Sequence, residues 1–146
     1  MKKNADTFSA EIICTVRAPA SIRFIRVLVR AVAKELGFRS GNITVAFLGE
    51  KRMQRLSRDF LGKRKATNVL TFPYIQDIRR GRVVADILLC PSVISQEAPQ
   101  FTKTPKEYLA QLIIHGMLHL KGFEHDTDKT AACMERFEQF FVHKLL

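Results

Sequence analysis

The chain has 146 residues, 47% of them apolar, and carries 24 lysines and arginines against 14 aspartates and glutamates, a formal net charge of +10. That length suits one domain with a sizeable core, and the charge calls for a polyanionic partner, a nucleic acid ahead of an acidic membrane. No run is long and charge-free enough to cross a bilayer, no apolar signal segment follows Met1-Lys-Lys-Asn-Ala-Asp, and Cys14, Cys90 and Cys133 are odd in number and far apart. The composition therefore predicts a soluble cytoplasmic protein with neither a disulfide framework nor a cysteine metal site.

In chain order, Phe8 to Arg17 holds the Ile-Ile-Cys-Thr-Val core of a strand, and Pro19 marks a turn. From Ser21 the period changes: Ile22, Ile25, Leu28, Val29, Val32 and Leu36 recur at helical spacing, with Ser21 as N-cap and Gly37 as stop. The opposite side carries Arg23, Arg26, Arg30 and Lys34, read as a solvated face. Asn42 to Leu48 predicts a second strand, and Glu50 to Phe60 a helix with Met53, Leu56 and Phe60 inward, stopped at Gly62. Lys51, Arg52, Arg55, Arg58, Lys63, Arg64 and Lys65 make the densest basic cluster in the chain. Its last three members fall in a loop, so the cluster is expected to contact an irregular phosphate backbone, with Lys51, Arg52, Arg55, Lys63, Arg64 and Lys65 as RNA-binding candidates.

Thr67 to Phe72 predicts a third strand ended by Pro73, and Val83 to Leu89 a fourth beside it. Asp86 interrupts that apolar run, where a carboxylate needs a partner or a nearby metal. Ser92 to Ala98 forms a short helix, and Thr104-Pro105 opens a longer one with Tyr108, Leu109, Leu112 and Ile113 on its buried side. A last helix from Asp128 presents Cys133, Met134, Phe137, Phe140, Phe141 and Leu145 as a core stripe, with His143 read as surface or structural. Together these make one α+β domain over residues 1–146, a small mixed four-stranded sheet flanked by helices.

Three of the four histidines lie within Gln111 to Asp126. His115 and His119, four apart, share one helix face, and a reversal at Gly122 can return His125 toward them. Three neutral imidazoles leave the fourth position of a tetrahedral zinc ion open, the arrangement of a catalytic rather than a structural site. The spacing H-x-x-x-H-x-x-G-x-x-H is also that of metzincin proteases, but Gly116 stands where their general-base glutamate belongs, which removes the support for peptide hydrolysis. Glu124 and Asp126 are the nearest carboxylates in sequence, available to relay a proton or to orient a ligand histidine. An RNA 2′-hydroxyl nucleophile is equally compatible with this site.

The run from His115 to His125, with Thr67-Asn-Val-Leu-Thr-Phe-Pro73 and Asp86-Ile87 before it, resembles the bacterial YbeY endoribonucleases, the rRNA maturation factors. The resemblance implies a zincin-like fold, one Zn2+ per chain on His115, His119 and His125, and cleavage of single-stranded RNA. It also implies a role in small-subunit rRNA maturation and ribosome quality control, with the small ribosomal subunit and its assembly factors as partners. The family's arginine before the Gly-Lys pair is replaced here by Leu61, and the glycine before its acid by Ala85. Lys63 and Arg64 are accordingly the candidates to clamp phosphate in catalysis. The alternative is an RNA-binding ribosome assembly factor whose metal is mainly structural and which cleaves little or not at all.

Overall fold

The computed structural model describes residues 7–123 and 128–145. β1 (Thr7–Cys14) leads through α1 (Ile22–Leu36) to β2 (Ser40–Phe47), α2 (Glu50–Leu61), β3 (Val69–Asp77) and β4 (Arg82–Leu89). Then come α3 (Pro91–Glu97), a 3₁₀ turn (Ala98–Phe101), α4 (Pro105–Lys121) and α5 (Asp128–Leu145). The four strands form one sheet in the order β1-β2-β4-β3. β2 pairs in parallel with β1 and with β4, and β3 pairs antiparallel with β4. The architecture is the expected mixed α+β sheet. A parallel pair needs a crossover, which α1 supplies between β1 and β2.

Local signals set the helices. Ser21 Oγ accepts from the Phe24 amide at 3.0 Å, and Gly37 closes α1 at φ 79°. α4 begins with a capping box: Thr104 Oγ1 accepts from the Glu107 amide at 3.1 Å, and the Thr104 amide donates to the Glu107 carboxylate at 2.9 Å. The Thr104 backbone N–H, with a smaller contribution from its side chain, holds the Glu107 carboxyl below its ordinary range.

Alternation along β4 sorts the sheet's two faces. Val83, Ala85, Ile87 and Leu89 are buried with residues of α1, α4 and α5 in the main core. A smaller cluster of Leu48, Met53, Leu70, Cys90 and Val93 lies under α2 and α3. Asp86 projects to the face opposite Ile87, where it accepts a hydrogen bond from the Tyr74 hydroxyl at 2.8 Å. Its partner is thus a phenol on β3, and that hydrogen bond raises the Tyr74 pKa.

Three expectations are corrected. Pro73 does not end the third strand, which runs on to Asp77 with an irregularity between Pro73 and Ile75. β3 is an edge strand, where alternate N–H groups face outward and a missing one costs no ladder bond. Phe60 is exposed and packs edge-on to Phe72 across 5.1 Å, and Ile22 is also exposed. On α5 the buried row is Met134, Glu138 and Phe141, while Phe137 and Phe140 are exposed. The helix is rotated so that an acid occupies the inward row. The side chains of Cys133 and Leu145 lie outside the described residues, and His143 is exposed.

Candidate metal centre

α4 is enclosed around almost its whole circumference, with Leu109, Ala110, Ile113, Ile114, Met117 and Leu118 all fully buried. Between Tyr108 and Leu120 only Gln111, His115 and His119 escape full burial. They are four residues apart and form a single polar stripe. Close approach of helix to sheet explains Gly116 on the other side: a Cβ built there would lie 3.0 Å from Thr71 Oγ1 and 3.5 Å from Ile87 Cδ1. The position where a metzincin carries its glutamate is pressed against the sheet here, in agreement with the rejection of a peptidase mechanism.

Two ring nitrogens of the stripe converge. His115 Nε2 and His119 Nε2 converge to 3.1 Å. Two zinc–nitrogen bonds of about 2.0–2.1 Å at a tetrahedral angle would set their nitrogens about 3.3 Å apart, so the pair fits two corners of such a site. His115 Nδ1 lies 2.5 Å from the Glu138 carboxylate. An imidazole that donates from Nδ1 turns its Nε2 lone pair outward, which is what a metal ligand requires. Gln111 Nε2 in turn donates to the other Glu138 oxygen at 3.4 Å.

Among the described residues no group of three histidine, cysteine or acidic side chains forms a metal site. His125, the expected third ligand, lies outside the described residues, as do Glu124 and Asp126. A carboxylate on α5, that of Glu138, meets His115 Nδ1. Its signal in the sequence was the spacing of Met134, Glu138 and Phe141, which sets an acid at the i+4 position of a buried row. Asp86 is on the opposite face of β4 from Ile87, the residue beneath α4, and so is turned away from the histidines.

Two grooves meet at His115. One, of about 440 Å³, is walled by Leu61, Thr71, Pro73 and Gln76 and reaches both histidines. Leu61 thus stands in the groove, at the position where the resemblance calls for arginine. The second, of about 490 Å³, runs the other way past Asn68, Phe101, Tyr108, Glu135 and Glu138. Lys51, Arg52, Arg55, Lys63, Arg64 and Lys65 are all exposed on α2 and the loop after it. Lys65 borders a separate groove with Glu50, Gln54 and Gln96, and the Gln54 side chain fixes the loop by donating to the Arg64 carbonyl at 2.9 Å. Behind the second groove, Tyr108 donates to Glu97 at 2.8 Å, and burial together with this bond pushes its pKa up to about 12.

Comparisons with known proteins show what the chain as a whole is similar to. The family model described as endoribonuclease YbeY matches residues 12–146. The endoribonuclease YbeY of Polynucleobacter asymbioticus is 42% identical over 106 residues, 73% of this chain and 67% of that protein. That of Nitrosomonas europaea is 36% identical over 137 residues, covering 92% of this chain and 82% of its own length. The chain spans about two thirds of the length of the first of these relatives. In fold it is similar to the solution structure of TM1509 from Thermotoga maritima, with a TM-score of 0.66, 24% identity, and 93% and 88% of the two chains covered. No helix among the described residues is long and apolar enough to cross a membrane.

Proposed function

Because the chain belongs to the YbeY family of endoribonucleases, we propose that it is a zinc-dependent endoribonuclease that cleaves single-stranded RNA. In the cell it acts in the cytoplasm in small-subunit rRNA maturation and ribosome quality control, with the small subunit and its assembly factors as partners. The observation that carries this reading is the convergence of His115 Nε2 and His119 Nε2 to 3.1 Å beside a groove.

His115, His119 and His125 would hold one zinc ion. A zinc ion there supplies a Lewis acid for a phosphoryl oxygen and activates water near neutral pH. Glu138 fixes the tautomer and ring plane of His115, and Gln111 steadies Glu138. The groove along β3 receives the strand. Lys63, Arg64 and Lys65 draw its phosphates to this end of the molecule, since exposed cations bind RNA largely by releasing counterions.

A second reading, an RNA-binding assembly factor with a mainly structural metal, is favoured by one observation. Leu61 lines the groove beside the histidines and offers no donor to a phosphate. A single experiment separates the two readings. Purified protein is assayed for metal content and for cleavage of a fluorescent single-stranded RNA, with His115→Ala and His119→Ala as controls. The nuclease reading expects about one zinc per chain and cleavage lost with the metal in both variants. Full metal content without cleavage supports the assembly factor, and parental occupancy in a histidine variant removes that residue from the ligand set.

A further inference from the structure

The groove on the far side of His115 carries a feature that the metal site does not use. Phe101 stands at its edge with 55% of its surface exposed, although a phenylalanine gains most by burial. One face of the ring stacks on Tyr108, with centroids 5.3 Å apart and planes 17° from parallel. Tyr108 is itself held by Glu97, whose carboxylate also accepts from Asn68 at 2.9 Å. Phe101 is thus backed by a hydrogen-bonded side-chain network. The next residue, Thr102, is at φ 57°, the only non-glycine with positive φ among the described residues. A β-branched residue is strained in that region, so the turn that presents Phe101 is maintained against a local cost.

The charge of the groove selects what can lie there. Glu135 and Glu138 line it, and Glu138 is engaged with His115 and Gln111. A wall with two acids disfavours phosphate, so this is not a second track for the backbone. It suits an uncharged, flat group with N–H donors, and such a group on an RNA strand is a base. Unstacked bases are typically recognised by stacking on an aromatic ring and by hydrogen bonds at their edges.

We propose that Phe101 and Glu135 form a nucleobase subsite, in which a base of the bound strand stacks on Phe101 and donates hydrogen bonds to the Glu135 carboxylate. Guanine fits best, because its ring N–H and exocyclic amine lie side by side and match two carboxylate oxygens. His115 borders both grooves, so the strand enters past Leu61, crosses the histidines and delivers its next base to Phe101. This rests on the reading of the chain as an RNA-cleaving protein and adds to it a preference for the sequence beside the cut.

The chain contains no tryptophan, so Phe101→Trp introduces a single fluorescent reporter at the subsite. Short oligouridylates carrying one guanine should quench it saturably, and a ribose-phosphate strand without bases should not. Phe101→Ala and Phe101→Leu should weaken binding of the same oligonucleotides by roughly 10- to 100-fold, the usual loss of one stacked base. Phe101→Leu retains apolar bulk and, with a circular dichroism check, controls for folding. Glu135→Gln should reduce the preference for guanine over uracil and leave binding of all-uridine strands nearly unchanged. If the parent binds RNA while both Phe101 variants bind equally well, or if the base-free strand quenches as strongly, the subsite is wrong and the nuclease reading stands. If the parent binds no single-stranded RNA, both fail together.

Discussion

His115 and His119 sit partly buried on a helix enclosed around almost its whole circumference, with His115 Nδ1 2.5 Å from Glu138 and the two Nε2 atoms 3.1 Å apart. Lys51, Arg52, Arg55, Lys63, Arg64 and Lys65 stand in solvent on α2 and its following loop. In the proposed reaction the two regions contribute in different ways. A ligand pair works only in one geometry, so it rides on a helix fixed by packing on several sides and loses little entropy when metal binds. A cation that attracts a polyanion acts over a Debye length of about 8–10 Å, so its exact position matters little and neighbours can replace it. Substitutions in the first region should therefore give large, specific losses, and those in the second small, additive, salt-dependent ones.

Leu61 tests whether the two regions can be joined, because it ends the basic helix and also lines the histidine groove. Leu61→Arg puts a bidentate cation beside the proposed metal site and is predicted to raise kcat rather than lower KM, as expected of a group that engages the transition state more strongly than the substrate. The loss of one such donor elsewhere costs about 10²–10³ in kcat, which is the upper bound on the gain. Leu61 is 46% exposed, so the change should leave thermal stability nearly unaltered. A stable, metal-loaded Leu61→Arg protein that cuts no faster would show that Lys63 to Lys65 already meet the charge or that cleavage is not the task.

Within the packed region, Glu138 is the sharper probe. Glu138→Ala removes the acceptor of His115 Nδ1 and should lower zinc affinity about 10- to 100-fold while α5 remains folded. Glu138→Gln retains size and one acceptor and should fall between. Competition with a chromophoric chelator measures both. Parental affinity in Glu138→Ala would mean that His115 is oriented by packing alone.

In the exposed region, reversing Lys63, Arg64 and Lys65 to Glu should flatten the salt dependence of RNA binding. If three phosphate contacts are lost, the slope of log K against log salt falls by about two, since each contributes about 0.7 on a single strand. Zinc affinity should not change. An unaltered slope would make the loop a solvated surface.

What the sequence made legible follows the same division. The histidine stripe could be read because a helix repeats every 3.6 residues and His115, Gly116 and His119 are neighbours along it. The sheet could be read from alternation, and the helix ends from Ser21, Gly37, Thr104 and Gly122. Glu138 was missed because its partner lies 23 residues away in sequence and only the packing of α5 on α4 brings them together. The Phe-rich composition of α5 also pointed to the wrong face: Phe137 packs against Phe123 at the margin, while Met134 and Phe141 turn inward. Pro73 misled for a related reason, since whether a proline stops a strand depends on which strand is at the edge.

The smallest effect is expected where α4 is anchored but carries no ligand. Thr104→Ala removes the side-chain acceptor of the capping box and should cost about 1 kcal/mol, the usual value for an N-cap, or a few degrees in Tm for a chain of this size. The pH dependence identifies the cause. The bonds from Thr104 hold the Glu107 carboxyl below its ordinary range, so the folded state binds this proton less readily than the unfolded state. The resulting stability is present above the ordinary glutamate pKa and is lost as pH falls through the depressed value. Thr104→Ala keeps the backbone amide that contributes most to this shift and loses an acceptor that does not titrate, so it should unfold earlier than the parent at neutral pH and keep most of that deficit in acid. Zinc affinity should stay parental, since His115 lies about three turns further along the helix, beyond the buried Tyr108, Leu109, Ala110, Leu112, Ile113 and Ile114. A deficit that vanishes in acid would assign the cost to the Glu107 carboxylate rather than to the Thr104 acceptor, and a fall in zinc affinity would mean that the ligand stripe depends on the end of α4 as well as on its packed middle.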